Sequence, residues 1–199
     1  MQRHGNPWKT LSVERRFEDD FINVDADQVI NPAGHQATYG VVRFKGRGLR
    51  ILPVDDEGQT YLVGQWRYGA GYYSWELPAG NQEQGEQARV GAARELREET
   101  GHAAEHWLQL LEIVNSGSVT DQRERSFVAW GLRTSPLPQD EQERIRCTRV
   151  PFGRAVEMAI AGEIGDAGTI VALVTVQLKA LRGELPPKLL ELLRVQAAA

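Results

Sequence analysis

Glu95, Glu98 and Glu99 lie in the stretch GNQEQGEQARVGAARELREETGH, residues 80–102. On a helix from about Glu86 to Thr100, advancing roughly 100° per residue, their carboxylates fall within about a third of a turn of one another. Like charges that close repel, and a divalent cation is one way to hold them together. The chemistry on offer is cation binding. A solvated acidic face has the same spacing, and the helix alone does not separate the two. Ala88, Ala92 and Leu96 form an i, i+4, i+8 apolar row beside the carboxylates, which would dock the helix on a sheet. Gly91 falls on the carboxylate side, where a mid-helix glycine costs about 1 kcal/mol relative to alanine and is accounted for by close approach of a ligand or backbone. Arg94 can pair with Glu98 at i, i+4, and Gly101 sits where the helix would stop.

The chain that must position this helix has 199 residues, 41% of them hydrophobic, enough for one domain of ordinary size with a small appendage. Acidic residues number 27 against 23 basic, the net charge is -4, and no long run of Lys and Arg occurs. Nucleic-acid backbone binding is disfavoured, and a phosphate ester would have to be held by a metal or a few placed arginines. The single cysteine, Cys147, excludes an internal disulfide framework, and a small packed residue is expected there. The opening MQRHGNPWKT has no apolar signal core, and Ile170 to Val174, the longest apolar run, is too short to span a bilayer. A cytoplasmic protein that engages neither nucleic acid nor membrane is expected.

In chain order, alternation predicts strands over Trp8–Phe17 and Phe21–Ile30, a turn at Asn31-Pro32-Ala33-Gly34, and strands over Thr38–Phe44, Leu49–Val54 and Thr60–Tyr68. The first pair is too small to fold alone and must pack on the main domain or on another subunit. A short strand, Ser74–Leu77, delivers Pro78-Ala79-Gly80 to the foot of the acidic helix. Strands follow over Trp107–Val114, Ser126–Leu132 and Arg144–Val150, the first two joined by a polar loop at 115–125 and the last preceded by a Pro- and acid-rich loop over 135–143. Helical spacing covers Phe152–Ala161 and Thr169–Leu181, and the tail from Pro186 has room for one short helix before a terminal AAA. His102 and His106 are read as loop residues beyond Gly101, and His4 and His35 carry no argument. The sum is a mixed sheet covered by helices in an α/β domain.

Gly80, Glu86, Arg94, Glu95, Leu96, Glu98, Glu99 and Gly101 match the Nudix box, G-x5-E-x7-R-E-U-x-E-E-x-G-U with U aliphatic, and only His102 departs from it. Eight fixed positions at the right spacing are a specific signal. The chain is identified by this resemblance as a member of the Nudix hydrolase superfamily. Trp75-Glu76-Leu77-Pro78-Ala79-Gly80, Asn31-Pro32-Ala33-Gly34, Tyr39-Gly40-Val41-Val42, Val63-Gly64-Gln65-Trp66-Arg67-Tyr68 and Gly162-Glu163-Ile164-Gly165-Asp166-Ala167 are similar to the branch containing ADP-ribose pyrophosphatases and other nucleoside diphosphate sugar hydrolases. The resemblance implies an α/β/α sandwich with a mixed sheet over residues 39–185, an N-terminal strand extension over 1–38 that forms a homodimer, and a C-terminal tail over 186–199.

A diphosphate repels attacking water unless a cation such as Mg2+, or Mn2+ in its place, neutralises its oxygens. Glu95, Glu98 and Glu99 would supply carboxylates, and by similarity the Ala79 carbonyl would add a backbone ligand. Gly80, Glu86, Arg94 and Gly101 are structural within the motif. Arg67 is the candidate phosphate clamp, because a guanidinium can engage two phosphate oxygens at once, though a surface arginine in a strand is an equal reading. Trp75 and Glu76 are assigned with it to the substrate side. Tyr68, Tyr72, Tyr73 and Trp75 could stack on a base, with core or dimer contact as the alternative.

In this branch a loop of the form S-x-T/S-D-E commonly provides the general base, and here Ser118-Val119-Thr120-Asp121-Gln122 carries glutamine in that place. Glutamine cannot accept the proton. Glu124, Asp121 or a glutamate of the box, Glu95 or Glu98, must then do so. The expected reaction is Mg2+-dependent hydrolysis of ADP-ribose or another nucleoside diphosphate sugar to a nucleoside monophosphate and a sugar phosphate. The alternatives are a weakly catalytic or regulatory nucleotide-sugar binder, and a hydrolase of a nucleoside triphosphate or coenzyme A.

Overall fold

A computed structural model of the chain describes residues 5–138 and 144–194. His4, residues 139–143 of the Pro- and acid-rich loop and the terminal AAA lie outside these described residues. Two compact units account for the chain, Met1–Arg47 with Val114–Arg123, and Gly48–Ile113 with Glu124–Ala199.

In the first unit β1 (Lys9–Glu18), β2 (Ile22–Ile30) and β3 (Gln36–Phe44) form an antiparallel three-stranded sheet with β2 in the middle. Its turns are built from short polar side chains, as expected where the backbone needs local acceptors. Asp19 accepts from the N–H groups of Phe21 and Ile22 at 2.8 and 2.7 Å, and Asn31 accepts from those of Ala33 and His35 at 3.0 Å each. Gly34 takes the left-handed φ of 86° that lets the second turn close. The expected boundary at residue 38 falls inside β3, whose pairing with β2 carries residues 39–44 along with the N-terminal strands. The loop after Val114 is tied to β3 through Val42 N–H to the Val119 carbonyl at 2.8 Å and Phe44 N–H to Asp121 Oδ1 at 2.9 Å.

Successive inward positions of β2 carry Asp25, Asp27 and Val29, all buried. Arg43 spans both aspartates, at 2.6 Å to Asp25 and 2.5 Å to Asp27, and Arg15 bonds Asp25 from the other neighbouring strand. The Arg15 hydrogen bond, opposed by burial and joined by Arg43, holds the Asp25 pKa below its ordinary value. Every residue of β1 is exposed, including the apolar Leu11, Val13 and Phe17.

The second unit holds two sheets. One has the order β10-β5-β6, from β5 (Gln59–Arg67), β6 (Tyr72–Glu76) and β10 (Arg146–Pro151). The other has the order β7-β4-β9-β8, from β4 (Gly48–Val54), β7 (Ala79–Asn81), β8 (His102–Val114) and β9 (Arg123–Thr134). β4 runs parallel to β9 and antiparallel to β7, so this sheet is mixed. Leu49 and Ile51 of β4 pack with Ala92 and Leu96 of α1 (Ala88–Thr100), together with Phe127 and Ala129. Leu52 and Val54 pack in a larger cluster with side chains of α2 (Phe152–Ile160), α3 (Ala167–Leu181) and α4 (Pro187–Leu193). Burial on both faces explains why LRILPV reads as an apolar run instead of an alternation. Helices on both sides of a mixed sheet make the α/β/α sandwich expected from the resemblance. Part of the expected tail belongs to this core, since Leu189, Leu192 and Leu193 of α4 are buried within it.

β7 is the element that periodicity missed, because three residues are too few to show a period. His102 and His106 lie in β8 and not in a loop. Gly101, at a left-handed φ of 74°, turns the chain from α1 directly into that strand. Cys147 is exposed, not packed, on β10, which lies at the edge of its sheet beside β5 among the described residues.

Asp25→Asn should lower the thermal midpoint at neutral pH. Pairing depresses the folded-state pKa below the unfolded value of about 3.9. The stabilisation is therefore present above that value and lost as pH falls through the folded pKa. Melting curves of the two proteins should converge on acidification, and a gap that stays constant would show that the Asp25 charge is not what stabilises the sheet.

Candidate active site

The acidic helix and the three-residue strand β7 meet at two backbone positions. Ala79 and Gly80 pair with Arg50 and Leu49 of β4, which fixes the strand against the sheet. The Glu95 carboxylate lies directly against Gly80, since a Cβ built on that glycine would fall 2.1 to 2.3 Å from its Cδ and Oε atoms. Glu99 is buried and accepts a hydrogen bond from the Ala79 N–H at 2.8 Å. Two of the expected carboxylate ligands thus flank the residue whose carbonyl was expected beside them.

Arg94 gathers the remaining acid. Its Nη1 donates to Glu95 Oε1 at 2.7 Å and Glu98 Oε2 at 3.0 Å, its Nη2 to the Asn81 carbonyl at 2.9 Å, and Glu86 approaches the same guanidinium at 3.4 Å. Burial works against the Arg94 charge, but the Glu86 hydrogen bond and the Glu95 field outweigh it and raise its pKa. Gly91 has its explanation here: a Cβ would fall 2.5 Å from Glu86 Oε2 and 2.7 Å from Leu49 Cδ1, so the helix packs closely on β4 and on the motif's first glutamate.

Among the described residues no three acidic, histidine or cysteine side chains are already arranged as a metal cage. The donor chemistry nevertheless fits a hard divalent cation, which takes oxygen ligands and keeps several waters. Glu95, Glu98 and Glu99 offer carboxylate oxygens on one helix face, and the bare Cα of Gly80 leaves room for one of them beside β7. Arg94 and the Ala79 N–H hold oxygens of these carboxylates in the positions described.

Of the residues expected to face substrate, Arg67 makes a two-pronged pair with Glu76, Nε to Oε1 at 2.9 Å and Nη2 to Oε2 at 2.6 Å. Glu76 is buried, whereas the Arg67 side chain remains 38% exposed, so the pair aims a partly accessible guanidinium from a fixed base. Trp75 and Tyr73 meet edge to face, 5.7 Å between ring centres, and both crowd Gly64, where a Cβ would fall 2.5 Å from the Tyr73 hydroxyl. Tyr68 is almost fully exposed at 93%.

Of the candidate proton acceptors beyond the box, Asp121 has one oxygen bonded and Glu124 both. Asp121 accepts from Phe44 N–H, as described for the first unit. Glu124, in the second unit, is buried and bound at both oxygens by Arg50, Nε to Oε1 at 2.8 Å and Nη2 to Oε2 at 2.9 Å. The sequence offers no role for Arg50 or Thr169, and Asp166 enters it only within the Gly162–Ala167 segment, yet the three come together with Glu124 in this unit. The available signal was Arg50 itself, a charge inside the apolar run LRILPV.

Residues 45–170 match the family model described as NUDIX domain, and residues 8–42 match that of the nucleoside diphosphate sugar hydrolase N-terminal domain. The chain belongs to the Nudix family. This Nudix chain is 33% identical, over 85% of its length and 83% of the relative's, to an ADP-ribose pyrophosphatase of Mycobacterium tuberculosis. It is 29% identical, over 86% of its length and 93% of the relative's, to a methanol dehydrogenase activator of Bacillus methanolicus. A solved structure described as an ADP compounds hydrolase shares the fold, with a TM-score of 0.80 at 22% identity over 92% of this chain and 98% of that one. The chain is accordingly an ADP-ribose pyrophosphatase-like Nudix hydrolase.

Gly80→Ala should separate site from fold. The new methyl collides with the flexible end of Glu95, which can swing away, so the melting curve should stay close to wild type. Turnover should drop about a hundredfold, as expected when a reacting group is displaced by about an ångström. Wild-type activity in Gly80→Ala would show that Glu95 does not act from beside β7.

Proposed function

We propose that the chain hydrolyses the diphosphate bond of ADP-ribose or another nucleoside diphosphate sugar in the presence of Mg2+, releasing a nucleoside monophosphate and a sugar phosphate. The observation that carries this reading is the convergence of Glu95 and Glu99 on Ala79 and Gly80. Mg2+ or Mn2+ held there would neutralise phosphate oxygens and make water a better nucleophile. Arg67, steadied by Glu76, is the clamp for a phosphate oxygen pair. Trp75 and the neighbouring tyrosines supply aromatic faces for a base.

Glu98 is the proposed proton acceptor. Its side chain is 26% exposed against 12% for Glu95, so water reaches it more readily than the other box candidate, and Arg94 holds its Oε2 at 3.0 Å. Water attacks one phosphorus, Glu98 takes its proton, and the bond from that phosphorus to the bridging oxygen breaks. The name of the Mycobacterium relative supports ADP-ribose as the first substrate to try. Gln122 and the name of the Bacillus relative support a second reading, a slow enzyme whose bound nucleotide serves regulation. The exposed Trp8, Leu11, Val13 and Phe17 support a homodimer through the N-terminal strands, and the single cysteine supports a cytoplasmic setting.

A substrate panel of ADP-ribose, other nucleoside diphosphate sugars, nucleoside triphosphates and coenzyme A, each with Mg2+, tests the reading. Nucleoside diphosphate sugars should turn over fastest. Saturable binding without hydrolysis of any member would favour the regulatory reading. In the same assay Glu99→Gln should lose about a hundredfold or more, the scale of removing one preorganised electrostatic group, while keeping its fold. Near-normal turnover would remove Glu99 from the metal site. Light scattering should give twice the chain mass, and a monomer at micromolar concentration would exclude the dimer.

A further inference from the structure

Arg50 is a cation in a strand buried on both faces, with Leu49, Ile51 and Leu52 around it fully buried. Its side chain is 6% exposed. Besides the two bonds to Glu124, its Nη1 donates to Thr169 Oγ1 at 2.9 Å and lies 2.8 Å from Asp166 Oδ2. Thr169 Oγ1 also accepts from the N–H of Leu77 at 2.9 Å, and Asp166 caps α3 by accepting from the Thr169 N–H at 2.7 Å. Glu76, the base of the Arg67 pair, lies 3.9 Å from Arg50. Room has been left for this cluster: at Gly168, a Cβ would fall 2.5 Å from both Arg50 Nε and Glu124 Oε1.

A buried ion pair of this kind is weak evidence for stability, because desolvation offsets its attraction and an apolar pair of the same volume often does as well. What a guanidinium provides and leucine does not is directional bonding. Here those bonds end on the Glu76–Gly80 segment, through Thr169 to Leu77 N–H and, at 3.5 Å, from Arg50 Nη1 to the Leu77 carbonyl, beside the backbone pairing of residue 50 with Ala79 that any side chain would allow.

We propose that Arg50 is a positioning residue that, with Glu124 as its counter-ion and Thr169 as its bridge, fixes the Glu76–Gly80 segment so that Ala79 and Gly80 meet the box carboxylates. Glu124 is then part of the framework and not the proton acceptor. The inference rests on the proposed metal site, and its test reads metal binding separately from turnover.

Mn2+ affinity is measured by calorimetry on the whole chain without substrate, alongside kcat at saturating metal and the thermal midpoint. Arg50→Lys keeps the charge but loses the fork, and should weaken Mn2+ binding about 10–100-fold, the usual effect of removing a partner that orients metal ligands. Glu124→Gln keeps one acceptor oxygen for Arg50 but sets an NH2 donor against its other N–H, so it should weaken Mn2+ binding in the same range while lowering kcat at saturating metal by less than about tenfold, against about 100–10,000-fold for loss of a general base. Should Arg50→Lys fail to fold, Thr169→Val removes only the bridging hydroxyl and should weaken Mn2+ binding in the same range. Unchanged Mn2+ affinity in the folded variant, or a hundredfold loss of kcat in Glu124→Gln, would overturn the proposal. Wild-type protein that binds Mn2+ yet hydrolyses no diphosphate would sink the functional reading alone.

Discussion

Holding like charges together is the constraint on which the rest of the structure depends. Glu86, Glu95, Glu98 and Glu99 all belong to one motif, and their mutual repulsion has to be met before any cation arrives. Arg94 meets part of it by contacting three of the four, and the Ala79 N–H meets another part by binding Glu99. Both devices need α1 close to β7. The bare positions at Gly80 and Gly91 permit that approach, one toward Glu95 and the other toward Leu49 and Glu86.

The layers of the second unit follow from the same need. β4 carries Leu49 and Ile51 toward α1 and Leu52 and Val54 toward the other helices, so one strand anchors the acidic helix and joins it to the main core. The polar residue among them, Arg50, lies in register with Ala79. Charge balance beneath the site is close, with Arg50 and Arg67 facing Glu76, Glu124 and Asp166. Removing either arginine would leave carboxylates buried without compensation, a costlier state than never having had the charges.

Much of this was legible in the chain. Rough alternation in β1 and β2, and short β-rich runs bounded by turns in β3 to β5, place those strands to within two residues of their ends, and the spacing of Ala88, Ala92 and Leu96 gives the docking face of α1. The Nudix box named the carboxylates because motif spacing is a local property of a helix. What stayed hidden was non-local. β7 is too short to have a period, and the burial of α4 depends on packing with distant residues such as Phe152 and Leu173. The pairing of Glu124 with Arg50 joins positions 74 residues apart, and no pattern within either strand announces it. His102 was misplaced for a different reason: Gly101 was read correctly as a stop, but a stop does not reveal that a strand begins at the next residue.

On the proposed reading, the carboxylates gathered by Arg94 and Ala79 form a metal platform for splitting a diphosphate. Phosphorus NMR of ADP-ribose incubated with the protein and Mg2+ in heavy-oxygen water tests this most directly. The expected products are AMP and ribose phosphate, with labelled oxygen on the phosphorus that water attacked, and no reaction once the metal is chelated. Failure of ADP-ribose and every other nucleoside diphosphate sugar to react with Mg2+ present, or turnover indifferent to chelation, would exclude such a platform.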